Sequence, residues 1–140
     1  MSALLLIHLA ATLAMNGIIW FVQLVHYPLL SHAERSTFPA FAAAYQRRTT
    51  WVVLPLMAAE LATAALIVRY APPALRSLSI WGLALLGIIW LSTALLQVPR
   101  HRRLAERFEP TVHRGLVRAN WIRTVAWTTR SAIALALVAG

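Results

Sequence analysis

The stretch that decides the fold is Trp51-Val-Val-Leu-Pro-Leu-Met-Ala-Ala-Glu-Leu-Ala-Thr-Ala-Ala-Leu-Ile-Val68. It is close to the ~20 residues a helix needs to cross a bilayer. Its single charge, Glu60, sits near the middle of the run. At ~1.5 Å per residue, about 13 Å of helix separates it from Trp51, which is mid-membrane depth. A carboxyl there costs at least ~2.5 kcal/mol on insertion scales, so it marks a functional or pairing site. What faces Glu60 is the question the remaining sequence has to answer.

Composition points the same way. The chain has 140 residues, 60% hydrophobic and 12% charged, with a mean hydropathy of +0.68. A soluble domain of this size needs far more polar surface. Four spans are expected, over 3–26, 50–69, 78–98 and 117–138. The fourth also carries Arg118, Arg123 and Arg130. The expected fold is all-α, a single-domain integral membrane four-helix bundle. The first apolar run has no basic residue before it and continues to Val25, so it reads as a span rather than a cleaved signal peptide. With no cysteine and no aspartate, disulfides, thiolate metal sites, cysteine nucleophiles and a Ser-His-Asp triad are excluded.

The net charge of +9 comes entirely from arginine on the basic side. Nine of the 13 arginines (35, 47, 48, 100, 102, 103, 107, 114 and 118) fall in or beside the connections joining spans one to two and three to four. The connection between spans two and three holds only Arg69 and Arg76. By the positive-inside rule, both Arg-rich connections are cytoplasmic and both termini external, in a bacterial-type inner membrane. Anionic lipid headgroups suit such a surface. No aromatic-interleaved basic groove accompanies the charge, so nucleic acid is not an expected partner.

An ordered set of residues recurs. Gly17-Ile-Ile-Trp20 returns as Gly87-Ile-Ile-Trp90, each followed by a glutamine (Gln23, Gln97), a proline (Pro28, Pro99) and a nearby histidine (His26, His101). Both copies run in the same direction, which predicts two parallel helical-hairpin repeats. The first helix is expected to end at or before Pro28. Ser36 or Thr37 is placed to cap a helix that has Pro39 in its first turn and runs into the second span. Pro55 predicts a kink in that helix. Residues 100–108, between Pro99 and Pro110, are expected to form a short amphipathic surface helix.

At helical spacing each span shows a polar stripe. The first reads His8, Thr12, Asn16, Gln23, His26. The second reads Met57, Glu60, Thr63, and the third Trp90, Thr93, Gln97, His101. The fourth reads Asn120, Arg123 or Thr124, Trp127, Arg130. Polar groups in membranes turn inward. Such groups also hold helices together without any further role. Arg123 or Arg130 is the expected partner of Glu60, either in a structural ion pair or around a working carboxylate. Asn16 and Trp127 are expected at the same depth, with His26, Gln97, His101 and Asn120 at a cytoplasmic mouth. A facing pair, His26 and His101, is the candidate for a metal or an axial haem position, although Glu60 lies too deep to share one ion with His26. The cofactor is otherwise open.

Gln97-Val-Pro-Arg-His-Arg-Arg-Leu104, followed by Asn120-Trp-Ile-Arg-Thr-Val-Ala-Trp127 and Arg130, resembles the C-terminal half of the anthrone-oxygenase-like family of small four-helix membrane proteins. The resemblance covers roughly the last 50 residues. The family more often has asparagine where this chain has His101. What the resemblance implies is oxidation of aromatic anthrones to quinones without an evident bound cofactor, with His101, Asn120, Trp121 and Arg123 lining an interior pocket.

Together these readings predict an oxidoreductase or oxygenase, cofactor-independent or metal-dependent, acting on a lipophilic aromatic or quinone-like molecule. Glu60 or His26 would be the base, His101 a proton relay, and Arg123 with Asn120 the oxyanion partners. Asn16, Trp20, Gln23, Trp90, Gln97, Trp121, Trp127 and Arg130 complete the expected ligand pocket. Two other readings fit the same sequence. One is a non-enzymatic binding or structural subunit, as a homo-oligomer or within a larger membrane complex. The other is a small proton-coupled transporter.

Overall fold

A computed structural model describes all 140 residues, as helices joined by short turns. Four helical rods follow one another: α1 (Ser2–His32), α2 (Phe38–Tyr70), α3 (Pro73–Glu106) and α4 (Pro110–Ala139). The first three are long and apolar enough to cross a membrane, which marks the chain as an integral membrane protein. The fourth is as long but more polar, and two of its arginines, Arg123 and Arg130, are buried.

Neither Pro28 nor Pro99 ends its helix, contrary to the sequence expectation. α1 is π-helical over Val22–His26 and resumes as α-helix over Tyr27–Leu29, closing with a 3-10 turn, Leu30–His32. α3 is π-helical over Thr93–Gln97 and continues as α-helix over Val98–Glu106. In each, the π turn closes with an i→i−5 bond, Tyr27 N–H to the Val22 carbonyl and Val98 N–H to the Thr93 carbonyl. The proline comes next. A proline inside an α-helix removes one backbone bond and drives its ring against the carbonyl four residues back. The wider π turn just before it relieves that clash. Residues 100–106 therefore extend α3 rather than forming a separate surface helix. α2 begins at Phe38 with Pro39 in its first turn, as expected, although the Thr37 side chain makes no capping bond. Pro55 lies inside it.

Each rod packs on two neighbours: α4 on α1 and α3, and α2 on α1 and α3. Tyr27, Gln46, His101 and His113, from the ends of all four rods, meet at the Arg-rich end. α1 and α3 therefore run in the same direction, antiparallel to α2 and α4. Lipid supplies no hydrophobic drive between helices, so close approach of small residues matters instead. At Gly82 an added Cβ would lie 3.3 Å from the Ile133 side chain. The absent side chain lets α3 approach α4, and the Gly82 carbonyl reaches Arg130. On α4 the buried positions Asn120, Arg123, Trp127, Arg130, Ala134 and Leu137 step by three and four, giving one inward face. Large apolar side chains such as Trp51, Trp81, Phe21 and Leu95 point outward, where lipid would cover them.

Candidate functional site

Glu60 is fully buried between α2 and α4. Its Oε1 accepts from Arg130 Nη2 at 3.1 Å, and its Oε2 accepts from Trp127 Nε1 at 2.9 Å. Arg130 also donates from Nη1 to the Gly82 carbonyl. Taking both charges out of water costs several kcal/mol per ion, offset here by mutual attraction and by donors on both carboxylate oxygens. Toward the chain termini, His8 Nδ1 lies 2.7 Å from Thr63 Oγ1. Thr63 Oγ1 also lies 2.7 Å from the Ala59 carbonyl, so this contact ties α1 to α2. Beside Arg130 is a void of about 10 Å³ lined by His8, Ser79 and Gly82, about one water in size.

The main cavity lies on the other side of Trp127, toward the Arg-rich end, with a volume of about 400 Å³. Met15, Ile19, Met57 and the Trp127 ring form its apolar depth. Tyr27, Tyr45, Gln46, Gln97, His101 and Arg123 form its polar part. Its exposed lining residues are Thr50 and Leu54 on α2 and Val98 and Arg102 on α3, so it opens sideways between those helices. No carboxylate lines it.

Arg123 organises the polar part. Its Nε donates to Asn120 Oδ1 at 3.0 Å, and Nη2 donates to the same oxygen and to Tyr27 Oη at 3.2 Å. Nη1 donates to Thr93 Oγ1 at 3.3 Å. Asn120 is held in turn by its Nδ2–H to Gln23 Oε1 at 2.9 Å. Tyr27 Oη accepts from Arg123 and lies 2.8 Å from His101 Nε2. With its oxygen accepting from the guanidinium, the Tyr27 hydroxyl is free to donate to His101. Three elements fix this geometry: the π turn preceding Tyr27, His113 Nε2 donating to the Tyr27 carbonyl at 2.7 Å, and Gln46 Nε2 donating to the His101 carbonyl at 2.8 Å.

Of the residues singled out from sequence, His101, Arg123, Trp90, Gln97 and Trp127 line the cavity. Asn120 and Gln23 stand behind it, supporting Arg123. Glu60 and Arg130 lie behind Trp127 with both carboxylate oxygens engaged. Glu60, expected as a base in the pocket, is therefore not among the cavity's lining residues. His26 is also outside the lining, its ring stacked on Tyr45 at 3.9 Å. Asn16, Trp20 and Trp121 do not face the interior. Trp20 donates to Thr128 Oγ1, which donates to Asn16 Oδ1, and Trp20 meets Trp121 edge-on at 5.7 Å on the outer surface. The sequence reading missed Tyr27, Tyr45 and Gln46. One signal points to Tyr45: it lies on the same α2 face as Thr49, Val53 and Met57, each four residues from the last, all of which line the cavity.

Nowhere do three or more His, Cys, Asp or Glu side chains gather as a metal would need. His101 Nε2 faces the Tyr27 hydroxyl, and the His26 ring stacks on Tyr45. Comparison with protein-family models, with curated proteins and with solved structures finds no match to this chain.

Proposed function

We propose that the four rods cross the membrane as one bundle of two parallel helical hairpins, with the Arg-rich connections in the cytoplasm and both termini outside. In this reading the cavity binds a lipophilic aromatic or quinone-like molecule, on which the protein acts as an oxidoreductase or oxygenase. The arginine distribution supports the orientation. The paired π turns ahead of Pro28 and Pro99 support the repeat.

The observation that carries the reaction class is the Arg123–Tyr27–His101 line at the polar end of an otherwise apolar cavity. An anthrone-like substrate loses a proton from its ring methylene to the Tyr27 oxygen as Tyr27 passes its own proton to His101 Nε2. The enolate oxygen so formed is held by Arg123. Dioxygen is the oxidant: the methylene becomes a carbonyl and the second oxygen atom leaves as water. The resemblance of residues 97–130 to the anthrone-oxygenase-like family supports the same chemistry.

The test is dioxygen consumption and quinone absorbance with a lipophilic anthrone and the protein in nanodiscs. Tyr27→Phe and His101→Ala are expected to lower turnover by roughly 10²-fold or more. No turnover, and no thermal stabilisation by the anthrone, would end this reading. The alternative, a binding or structural subunit, is favoured by one feature: the Glu60–Arg130–Trp127 cluster places the deepest ionised groups behind the cavity wall.

A further inference from the structure

Two arginines are buried on α4, seven residues or about two turns apart, and only one has a counter-charge within the protein. Arg130 is paired with Glu60. The other ion pairs of the chain join Arg103 and Arg107 to Glu109 at the surface. Arg123 has none. It makes four hydrogen bonds, all to the neutral acceptors Asn120, Thr93 and Tyr27. A guanidinium has five N–H donors, so one remains. A buried cation with one N–H to spare and no counter-charge calls for an anion.

The lining around it is incomplete in the same sense. Gln97 is 1% exposed, and neither its amide nitrogen nor its amide oxygen has a hydrogen-bond partner in the protein. Trp90 Nε1 likewise has none. Both residues line the cavity, on the same helix as Thr93 and about one turn to either side of it. Thr93 is the residue Arg123 bonds. A charge and two unpartnered N–H groups therefore lie beside one region, and both nitrogens, now closed to solvent, reach a ligand there by a turn of their side chains. The remaining lining is largely apolar, and the cavity opens sideways between α2 and α3, with Arg102 at the rim.

We infer that the ligand supplies the missing anion. The cavity takes a membrane-dissolved amphiphile in its anionic form, with a carboxylate or acidic enol oxygen on Arg123 and the N–H groups of Gln97 and Trp90. Its apolar body lies along Met15, Ile19 and Met57. It arrives from the lipid, passing Thr50 and Leu54 on one side and Val98 on the other, and Arg102 meets its oxyanion at the rim. This rests on the cavity described under the proposed function but not on the reaction.

The experiment uses the full chain in phosphatidylcholine nanodiscs. The probe is a 2-hydroxy-3-alkyl-1,4-naphthoquinone, whose anion has its own visible absorption, with its neutral methyl ether as control. A long-chain carboxylate and its methyl ester serve as competitors. The run is made at a pH where the bilayer-dissolved probe is neutral. The expected result is saturable appearance of the anion spectrum, no saturable binding of the ether, and displacement by the carboxylate but not by the ester. Whether the carboxylate or the hydroxyquinone binds more tightly assigns the headgroup.

Arg123→Gln is expected to weaken binding at least ~10-fold, about one decade in dissociation constant. Arg103→Gln, on the surface, should leave it unchanged. Should Arg123→Gln fail to fold, Gln97→Leu keeps the charge and still removes a ligand donor, and should weaken the hydroxyquinone several-fold. Equal binding of ether and hydroxyquinone overturns the inference, as does the absence of binding by either acid. Loss of probe binding when phosphatidylglycerol replaces phosphatidylcholine also overturns it, because a bilayer headgroup would then be the anion. Acid binding without dioxygen consumption leaves this inference standing and removes the oxidoreductase reading. Turnover without acid binding does the reverse.

Discussion

Trp127 lines the cavity with its ring while its indole N–H is bonded, at 2.9 Å, to Oε2 of Glu60. One side chain is thus both the wall of the candidate site and a ligand of the buried ion pair. The two halves of the interior are mechanically joined through it.

Trp127→Phe keeps an aromatic wall and removes the donor. Glu60 Oε2 is then left buried without a partner, at a cost of about 1–3 kcal/mol, somewhat more because the acceptor is charged. Thermal unfolding in detergent should show that loss, with ligand affinity of the cavity changed far less. Equal losses of stability and affinity would mean that the wall and the ion pair are not separable in the way described.

Glu60→Gln is expected to be the more damaging change. It leaves Arg130 charged, buried and facing a neutral amide, a situation costing roughly 3–5 kcal/mol. The double change Glu60→Leu with Arg130→Met removes both charges and should recover most of the stability. A single Glu60→Gln variant as stable as the unaltered protein would remove the structural role given to the pair.

Gly82→Val should separate α3 from α4. The added side chain would have to displace Ile133, whose Cγ2 already stands 3.3 Å from where a Cβ would be. It would also draw the Gly82 carbonyl away from Arg130. Overpacking of this kind costs about 1–3 kcal/mol. Gly17→Val, where an added Cβ meets nothing within 4 Å, should cost much less. Unfolding temperatures of the two variants, measured side by side, check the contrast.

Orientation follows from the arginines. A reporter fused after Gly140 should behave as external and one inserted near Arg107 as cytoplasmic. The opposite pattern would reverse every assignment of sides and carry the cavity to the outer half of the membrane.

Much of the fold was legible because its determinants are local. Apolar run lengths gave the helices, and the lone charge in the second run gave the need for a partner on another helix, met by Arg130. The differences in placement have separate physical origins. Reading a stripe in steps of four adds ~40° per step, since each residue turns ~100°. By the second step from His8 the drift takes Asn16 off the inner face, and Met15 and Ile19 are buried instead. Trp20 and Trp121 were placed inside because they share segments with polar residues, whereas tryptophan sits readily at a lipid-facing position. Tyr27, Tyr45 and Gln46 were overlooked because the spans were drawn too short. The helices carry the interior well beyond the apolar runs, and nothing in the hydropathy marks how far.

The π turns have a consequence for how this chain can change. Each holds one residue more per turn than the α-helix around it, which makes it a one-residue insertion absorbed inside a continuous rod. Deleting a single residue from 22–26 would restore ordinary helix and leave the phase of everything beyond it largely as it is, because the extra residue is already absorbed within one turn. Tyr27 would stay on the side of Arg123 and His101 while α1 lost one residue. Pro28 would then meet a standard turn and strain it. The extra residue and the proline belong together: losing the residue alone sets the proline ring against an ordinary turn, and losing the proline alone leaves a bulge that nothing requires.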